Sequence, residues 1–163
     1  MSDLSPSQIF LEAFRRHGAG IAVITLLKPD GSPTGFTATS LASLSAAPPL
    51  ATFNMSQTAS SWGGMKKDNT VLIHMLRADN LDVATIMAGE ASERFVGDHW
   101  EPGPDGLPLI KGVSAWLHAR IVDVLEVEFA ATVAVRILGG GVGDSGPALV
   151  YQGRDYKRTA DLA

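Results

Sequence analysis

Short apolar runs broken by glycine, proline and hydroxyl clusters dominate the chain, a pattern of many short strands. GIAVITLL at 20–27 is β-branched and apolar, and KPDGSP after it supplies a turn, so the pair predicts a hairpin. Hydroxyl-rich sequence at 34–45 and LATFN at 50–54 predict further strands, with a break at Pro48-Pro49 because proline donates nothing to a sheet ladder. VLIHML at 71–76 predicts another strand, and GVSAWLHARIVDVLEV, FAATVAVRIL and PALVYQGRDY predict three more. GGGVGDSG at 139–146 reads as a flexible turn between the last two. Helical signals are fewer. Ser5, Pro6 and Gln8 form a capping-box start ahead of Ile9, Phe10, Ala13 and Phe14, with Gly18 as the stop. A short helix is expected within 58–67 and another over 80–88, while 97–108 is the longest expected loop. With no regular βαβ alternation, this order predicts a mainly β fold with helical caps, a Greek-key barrel rather than a doubly wound sheet.

At 163 residues, one domain covering 1–163 is the expectation. Charged residues are only 18% of the chain against 45% hydrophobic, which favours a folded core and a surface partly covered by a partner subunit. A net charge of -4 argues against a general nucleic-acid binder. The absence of cysteine removes disulfides, thiolate nucleophiles and sulfur-ligated metals. No leader pattern opens the chain and no apolar run is long enough to span a bilayer, so a cytoplasmic protein without membrane attachment is expected.

The usual catalytic signatures are missing. His17, His74, His99 and His118 do not fall at spacings that place two ligands on one helix face, so no metal is expected. His74 and His118 lie in expected strands and read as hydrogen-bonded or surface imidazoles; His99, beside Trp100 in a loop, is open to binding or to loop packing. The glycine run at 139–146 lacks the Lys-Ser/Thr ending of a phosphate loop. There is no Gly-x-Ser-x-Gly turn, and the acidic residues from Glu90 to Asp105 show no paired spacing. One stretch stands out: GFTATSLASLSAAPPLATFNMSQTASS at 35–61 is crowded with hydroxyls and carries no charge. Such a surface offers hydrogen bonds to a polar planar ligand with a phosphate tail, or it merely lines turns and caps.

The order of motifs resembles the flavin reductase-like proteins with an FMN-binding split barrel, including the small reductase components of two-component flavin monooxygenases. GFTATSLASLSAAPPLATFN is similar to that family's Gly-x-Thr-x-x-Ser stretch followed by Ser-x-Ser, Pro-Pro-Leu and a strand. TASSW at 58–62 resembles its Ser-x-Ser/Thr-Trp helix start, ERFVGDHW at 93–100 its Arg-Phe-x-Gly-x-x-Trp, and PALVYQGRDYKR its closing strand pair. The likeness runs from about Phe14 to Arg158.

The resemblance implies a homodimer that binds FMN or FAD and moves hydride to it from NADH or NADPH, with a flavin-dependent monooxygenase as partner. It places Thr37, Ala38, Thr39 and Ser40 along the isoalloxazine and ribityl chain, and Ser43, Ser45 and Asn54 toward the ribityl and phosphate end. It puts Ser60 and Ser61 on the phosphate at a helix N-terminus, and Phe95 against the ring from the dimer side. No catalytic side chain is implied, because flavin carries the redox chemistry itself. Two positions depart from the family pattern. Where the family has Gly-Asp-His before its Thr-Ile strand, this chain has Phe129-Ala130-Ala131; and His74 stands where Asn is common. The first favours a second reading, a non-catalytic flavin or electron-transfer protein. A barrel that binds another small molecule and no flavin is the third.

Overall fold

The computed structural model describes residues 3–163, so Met1 and Ser2, the first residues of the segment read for a leader, lie outside it. The first helix, α1 (Pro6–Arg16), starts as the capping box requires: the Gln8 amide donates to Ser5 Oγ at 3.3 Å and the Ser5 amide to Gln8 Oε1 at 2.8 Å. Arg15 and Arg16 sit in its last turn, where cations oppose the helix dipole. None of its residues is buried.

Strands β1 (Ala19–Gly20), β2 (Ala22–Leu27), β3 (Pro33–Ala38), β4 (Ala42–Ala46), β5 (Pro49–Ser56) and β6 (Thr70–Met75) follow. After β6 come α2 (Leu81–Ala88), the short β7 (Trp100–Pro102) and β8 (Pro108–Ile110), the long β9 (Ala115–Val127) and β10 (Ala130–Val142), and finally β11 (Leu149–Gln152) and β12 (Asp155–Arg158). One antiparallel seven-stranded sheet runs β3-β2-β6-β9-β10-β5-β4; β1-β11-β12 and β7-β8 form two small ones. The large sheet curls until its β3 edge approaches β5, where Ser40 Oγ accepts from the Asn54 amide at 2.8 Å. The expected mainly β architecture with helical caps is therefore present, as a barrel split between β3 and β5.

The alternation along the strands fixes what faces inward. Ala51, Phe53 and Met55 of β5, Val133 and Val135 of β10, and Ile121 of β9 point into one core with Ile24, Leu26, Val71 and Ile73. A second core, under α2, gathers Ile21, Val23, Leu76, Ala84, Met87, Ile110 and Leu149. β2 lies between the two, and for that reason Ala22 to Leu26 are buried without a polar face.

Three local expectations are corrected. Residues 97–108 are not one open loop: β7 and β8 pair within and beside them, from Trp100↔Ile110 to Pro102↔Pro108. GGGVGDSG is not wholly a turn, because β10 continues through Val142 opposite Trp116 and Ala115. The expected helix within 58–67 is a single 3-10 turn, Trp62–Gly64. The hydroxyl run at 34–45, expected as strand, forms β3 and β4, with the crossing between them after Ala38.

Candidate functional site

A groove of about 290 Å³ opens where the barrel is split. Its floor and sides come from Phe36 to Ser40 at the end of β3, Asn54 to Ser56 at the end of β5, and Ala59, Ser60 and Arg94. β3 is an edge strand, so half of its amides and carbonyls lie outside the ladder, and apart from Gly35 O, which Arg94 occupies, they are available to a ligand. Arg94 is the one charged residue in the lining.

Hydrogen bonds give the groove a direction. Arg94 Nη1 donates to Gly35 O at 2.8 Å and its Nε to Gly89 O at 3.0 Å, fixing the guanidinium beside the start of the Gly35–Ser40 stretch. Ser61 lies at that same end, since its hydroxyl bonds Thr34 Oγ1 at 2.8 Å; its neighbour Ser60 turns to the groove. Thr39 and Ser40 mark the other end, with Ser40 tied to Asn54. From Gly35 to Thr39 an extended strand covers about 13 Å. The groove therefore runs from a cationic end at Arg94, beside Gly35 and Phe36, to an uncharged end at Thr39, Ser40 and Asn54.

Of the residues expected at the site, Thr37, Ala38, Thr39, Ser40, Asn54 and Ser60 come together here. Their side chains are not all available: Thr37 Oγ1 donates to Ala84 O of α2 at 3.0 Å, and Asn54 Oδ1 accepts from Thr132 Oγ1 at 2.8 Å. What Thr37 offers a ligand is its backbone and methyl group. Ser43 and Ser45 lie on β4, outside the groove, and Ser61 is buried at 1% exposure in its bond to Thr34. No helix N-terminus is formed at Ser60-Ser61, since only the 3-10 turn follows. Phe95 packs into the second core, edge-on to Trp100 at 5.5 Å, and does not line the groove of its own chain.

Arg94 was not among the expected site residues. Its signal was in the sequence, as the Arg of the ERFVGDHW stretch, but nothing local showed that this segment folds back onto Gly35. The fold-back is held by its neighbours. His99 Nε2 donates to Arg94 O at 2.7 Å and Trp100 Nε1 to Phe95 O at 2.9 Å. His99 thus has the loop-packing role.

The two departures resolve differently. Ala131 is buried at 3% exposure opposite Met55, so a buried methyl group stands where the family pattern has histidine, and Phe129 is 80% exposed at the β9–β10 turn. His74 is fully buried: its Nδ1–H donates to Val23 O at 2.9 Å while Nε2 accepts from the Ile110 amide at 3.0 Å. Desolvation pushes its pKa down to about 4, and the bonded partners require the neutral ring. It is a latch between the large sheet and β8, helped by Thr25 Oγ1 donating to Pro108 O at 2.6 Å. His118 Nε2 donates to Asp105 at 2.8 Å, and with Thr70 it holds the Asp105 carboxyl below its ordinary range.

Comparison with known proteins points the same way. Residues 14–160 match the flavin reductase like domain family. The NADH:FMN oxidoreductase of Rhodococcus erythropolis is 32% identical over 153 residues, covering 90% of this chain and 79% of that protein. The reductase subunit of stachydrine N-demethylase from Rhizobium meliloti is 32% identical over 125 residues, 77% of this chain and 54% of its own length, so the chain spans about half of that relative. Among solved structures, the flavin reductase domain protein from Arthrobacter sp. FB24 superposes with a TM-score of 0.91 at 43% identity, over 96% of this chain and 98% of that one. An uncharged groove with one arginine at its end, on a split barrel matched over nearly the whole chain, places this protein in the flavin reductase like family.

Proposed function

We propose that the chain is a flavin-binding oxidoreductase that uses NADH or NADPH to reduce FMN or FAD, acting as a cytoplasmic homodimer that supplies reduced flavin to a partner monooxygenase. The observation that carries this reading is the polarity of the groove. Its uncharged stretch, from Thr37 to Ser40 along the edge of β3, suits a planar ring whose heteroatoms need backbone donors and acceptors. Its other end, with Ser60 and Arg94, suits a phosphate, which gains charge-assisted hydrogen bonds. When bound, the flavin supplies the redox chemistry, accepting hydride from the nicotinamide; the chain has to hold it, orient it and keep one face open. The partner monooxygenase follows the relative named a demethylase reductase subunit. No helix among the described residues is long and apolar enough to cross a membrane.

A titration with FMN and FAD, followed by NADH and NADPH oxidation on the same sample, tests this. Arg94→Gln is expected to weaken flavin binding about tenfold to a hundredfold, the equivalent of one charged hydrogen bond of about 1.5–3 kcal/mol. Ser60→Ala is expected to cost several-fold. Unchanged affinity in both variants rejects the phosphate placement.

The methyl group of Ala131 where the family pattern has histidine favours the second reading, a flavin carrier that does not turn over NAD(P)H. Rapid mixing decides between the two: bleaching of the bound flavin by NADH or NADPH supports the reductase, and a persistent yellow spectrum with both supports the carrier.

A further inference from the structure

One side chain in the lining of the groove is open to attack by a two-electron oxidant at neutral pH. The chain has no cysteine, and no tyrosine, tryptophan or histidine lines the groove, so the thioether of Met55 is the one readily oxidised group there. The other methionines among the described residues stand elsewhere: Met65 is in the first core, Met87 in the second, and Met75 ends β6. Exposure sets the order in which an oxidant from bulk water reaches them. Met75 is 37% exposed against 7% for Met55, 4% for Met65 and 0% for Met87, so Met75 is the first target of dissolved peroxide.

Met55 is also held where it is. Before it, the Asn54 amide donates to Ser40 Oγ at 2.8 Å; after it, Ser56 Oγ and Thr58 Oγ1 share a hydrogen bond of 2.7 Å. Its partner across the ladder is Ala131, so β10 brings only a methyl group to that register position. The residue therefore belongs to the first core and at the same time borders the uncharged stretch from Thr37 to Ser40, where the flavin ring is proposed to lie. A thioether so placed meets an oxidant made inside the groove before that oxidant reaches bulk water.

We propose that Met55 is a self-oxidation site: peroxide formed in the groove converts its thioether to the sulfoxide, and this limits the protein's own turnover when no partner oxygenase takes the reducing equivalents. The proposal rests on the flavin reading of the groove. The hydride given up by NADH, with one proton and dioxygen, makes hydrogen peroxide. The peroxide O–O bond breaks as a sulfur lone pair forms the S–O bond, so sulfur is oxidised by two electrons and peroxide reduced by two. The departing hydroxide takes the proton left on the transferred oxygen and leaves as water. The sulfoxide is polar where the thioether was apolar. At a residue this buried, its oxygen either enters the core without a partner or stands in the groove against the ring, and both weaken flavin binding.

The test turns over FMN-loaded protein with NADH in air, with catalase present to destroy peroxide that escapes, and follows the gain of one oxygen at each methionine by peptide mass spectrometry. Met55 is expected to oxidise about tenfold faster than Met75, and the order is expected to reverse with added hydrogen peroxide and no NADH. Without dioxygen neither is expected to change. The FMN affinity of the turned-over protein is expected to fall about tenfold, whereas Met55→Leu is expected to keep its own starting affinity through the same turnover. Met55 left unmodified, or Met75 oxidised as fast as Met55 during turnover, overturns the proposal, while FMN binding with NADH oxidation leaves the flavin reading standing. If the chain binds FMN without oxidising NADH, cycles of dithionite reduction and air on the loaded protein replace NADH and decide by the same order. A chain that does not bind FMN overturns both.

Discussion

At the residue scale, buried polar groups in this protein hold elements in place more than they do chemistry. Ser61 is an example: it belongs to a serine pair that resembles a phosphate site, yet it is sealed against Thr34, and only Ser60 reaches the groove. His74 is another, and its burial has a measurable consequence. Its folded pKa of about 4 lies below its ordinary 6.5, so the unfolded chain takes up a proton first as pH falls. The stability it confers is fully present above about pH 6.5 and is lost progressively down to about pH 4, at up to about 1.4 kcal/mol per pH unit. Asp30 and Asp105, whose pKa values are lowered from 3.8, shed their contributions below that window. Urea midpoints are therefore expected to hold from pH 7.5 to about 6.5 and then fall toward pH 4, and His74→Gln to give a lower but flatter profile. A parallel profile in the variant removes His74 as the cause.

At the element scale, most of the strands and both α-helices were legible because their signals are local. The capping box at Ser5, the proline break before β5 and the β-branched runs at 20–27 and 71–76 each determine their own conformation. Two errors share one physical origin, a contact made far along the chain. The glycine run at 139–146 looked like a turn because glycine is usually a breaker, but here it lets β10 lie flat against β9. A Cβ on Gly141 would stand 2.6 Å from Trp116 Nε1, and one on Gly140 would strike the Trp116 carbonyl. Trp116 packs against both cores and its backbone is fixed in the ladder, so it cannot yield cheaply. Gly140→Ala is expected to destabilise the fold by about 1–3 kcal/mol, the range for overpacking, read as a lower urea midpoint. An unchanged midpoint means the strand end tolerates displacement. The hairpin of β7 and β8 was missed for the same reason, since its latches are Thr25 and His74 in strands far upstream. Arg94 was missed at the site because only the folded chain brings it to Gly35.

At the scale of the whole molecule, a single chain leaves too much apolar surface in water. Ile9, Phe10 and Leu11 of α1 are more than half exposed, and so are Leu44 of β4 and Leu125, Val127 and Phe129 at the β9–β10 end. Scattered exposed apolar residues are ordinary, but Leu125 and Val127 alternate onto one face at the end of β9, and Phe129 stands exposed in the turn directly after it. With 18% charged residues, the sequence itself implies that some surface is covered. A second copy of the chain is the occupant the proposed function names, and it would also supply the side of the groove that Phe95 of the same chain does not reach. Sedimentation velocity at micromolar concentration is expected to give a species of twice the 17.1 kDa chain mass. Val127→Asp with Phe129→Asp places two carboxylates on that face without touching either core, and is expected to shift the boundary to the single chain while the circular dichroism of the fold stays the same. Flavin affinity should fall with the dimer if the groove is completed by the partner. A variant that remains dimeric moves the interface to the α1 face, and an unaltered chain that sediments as a monomer at all concentrations removes the dimer from the proposed function.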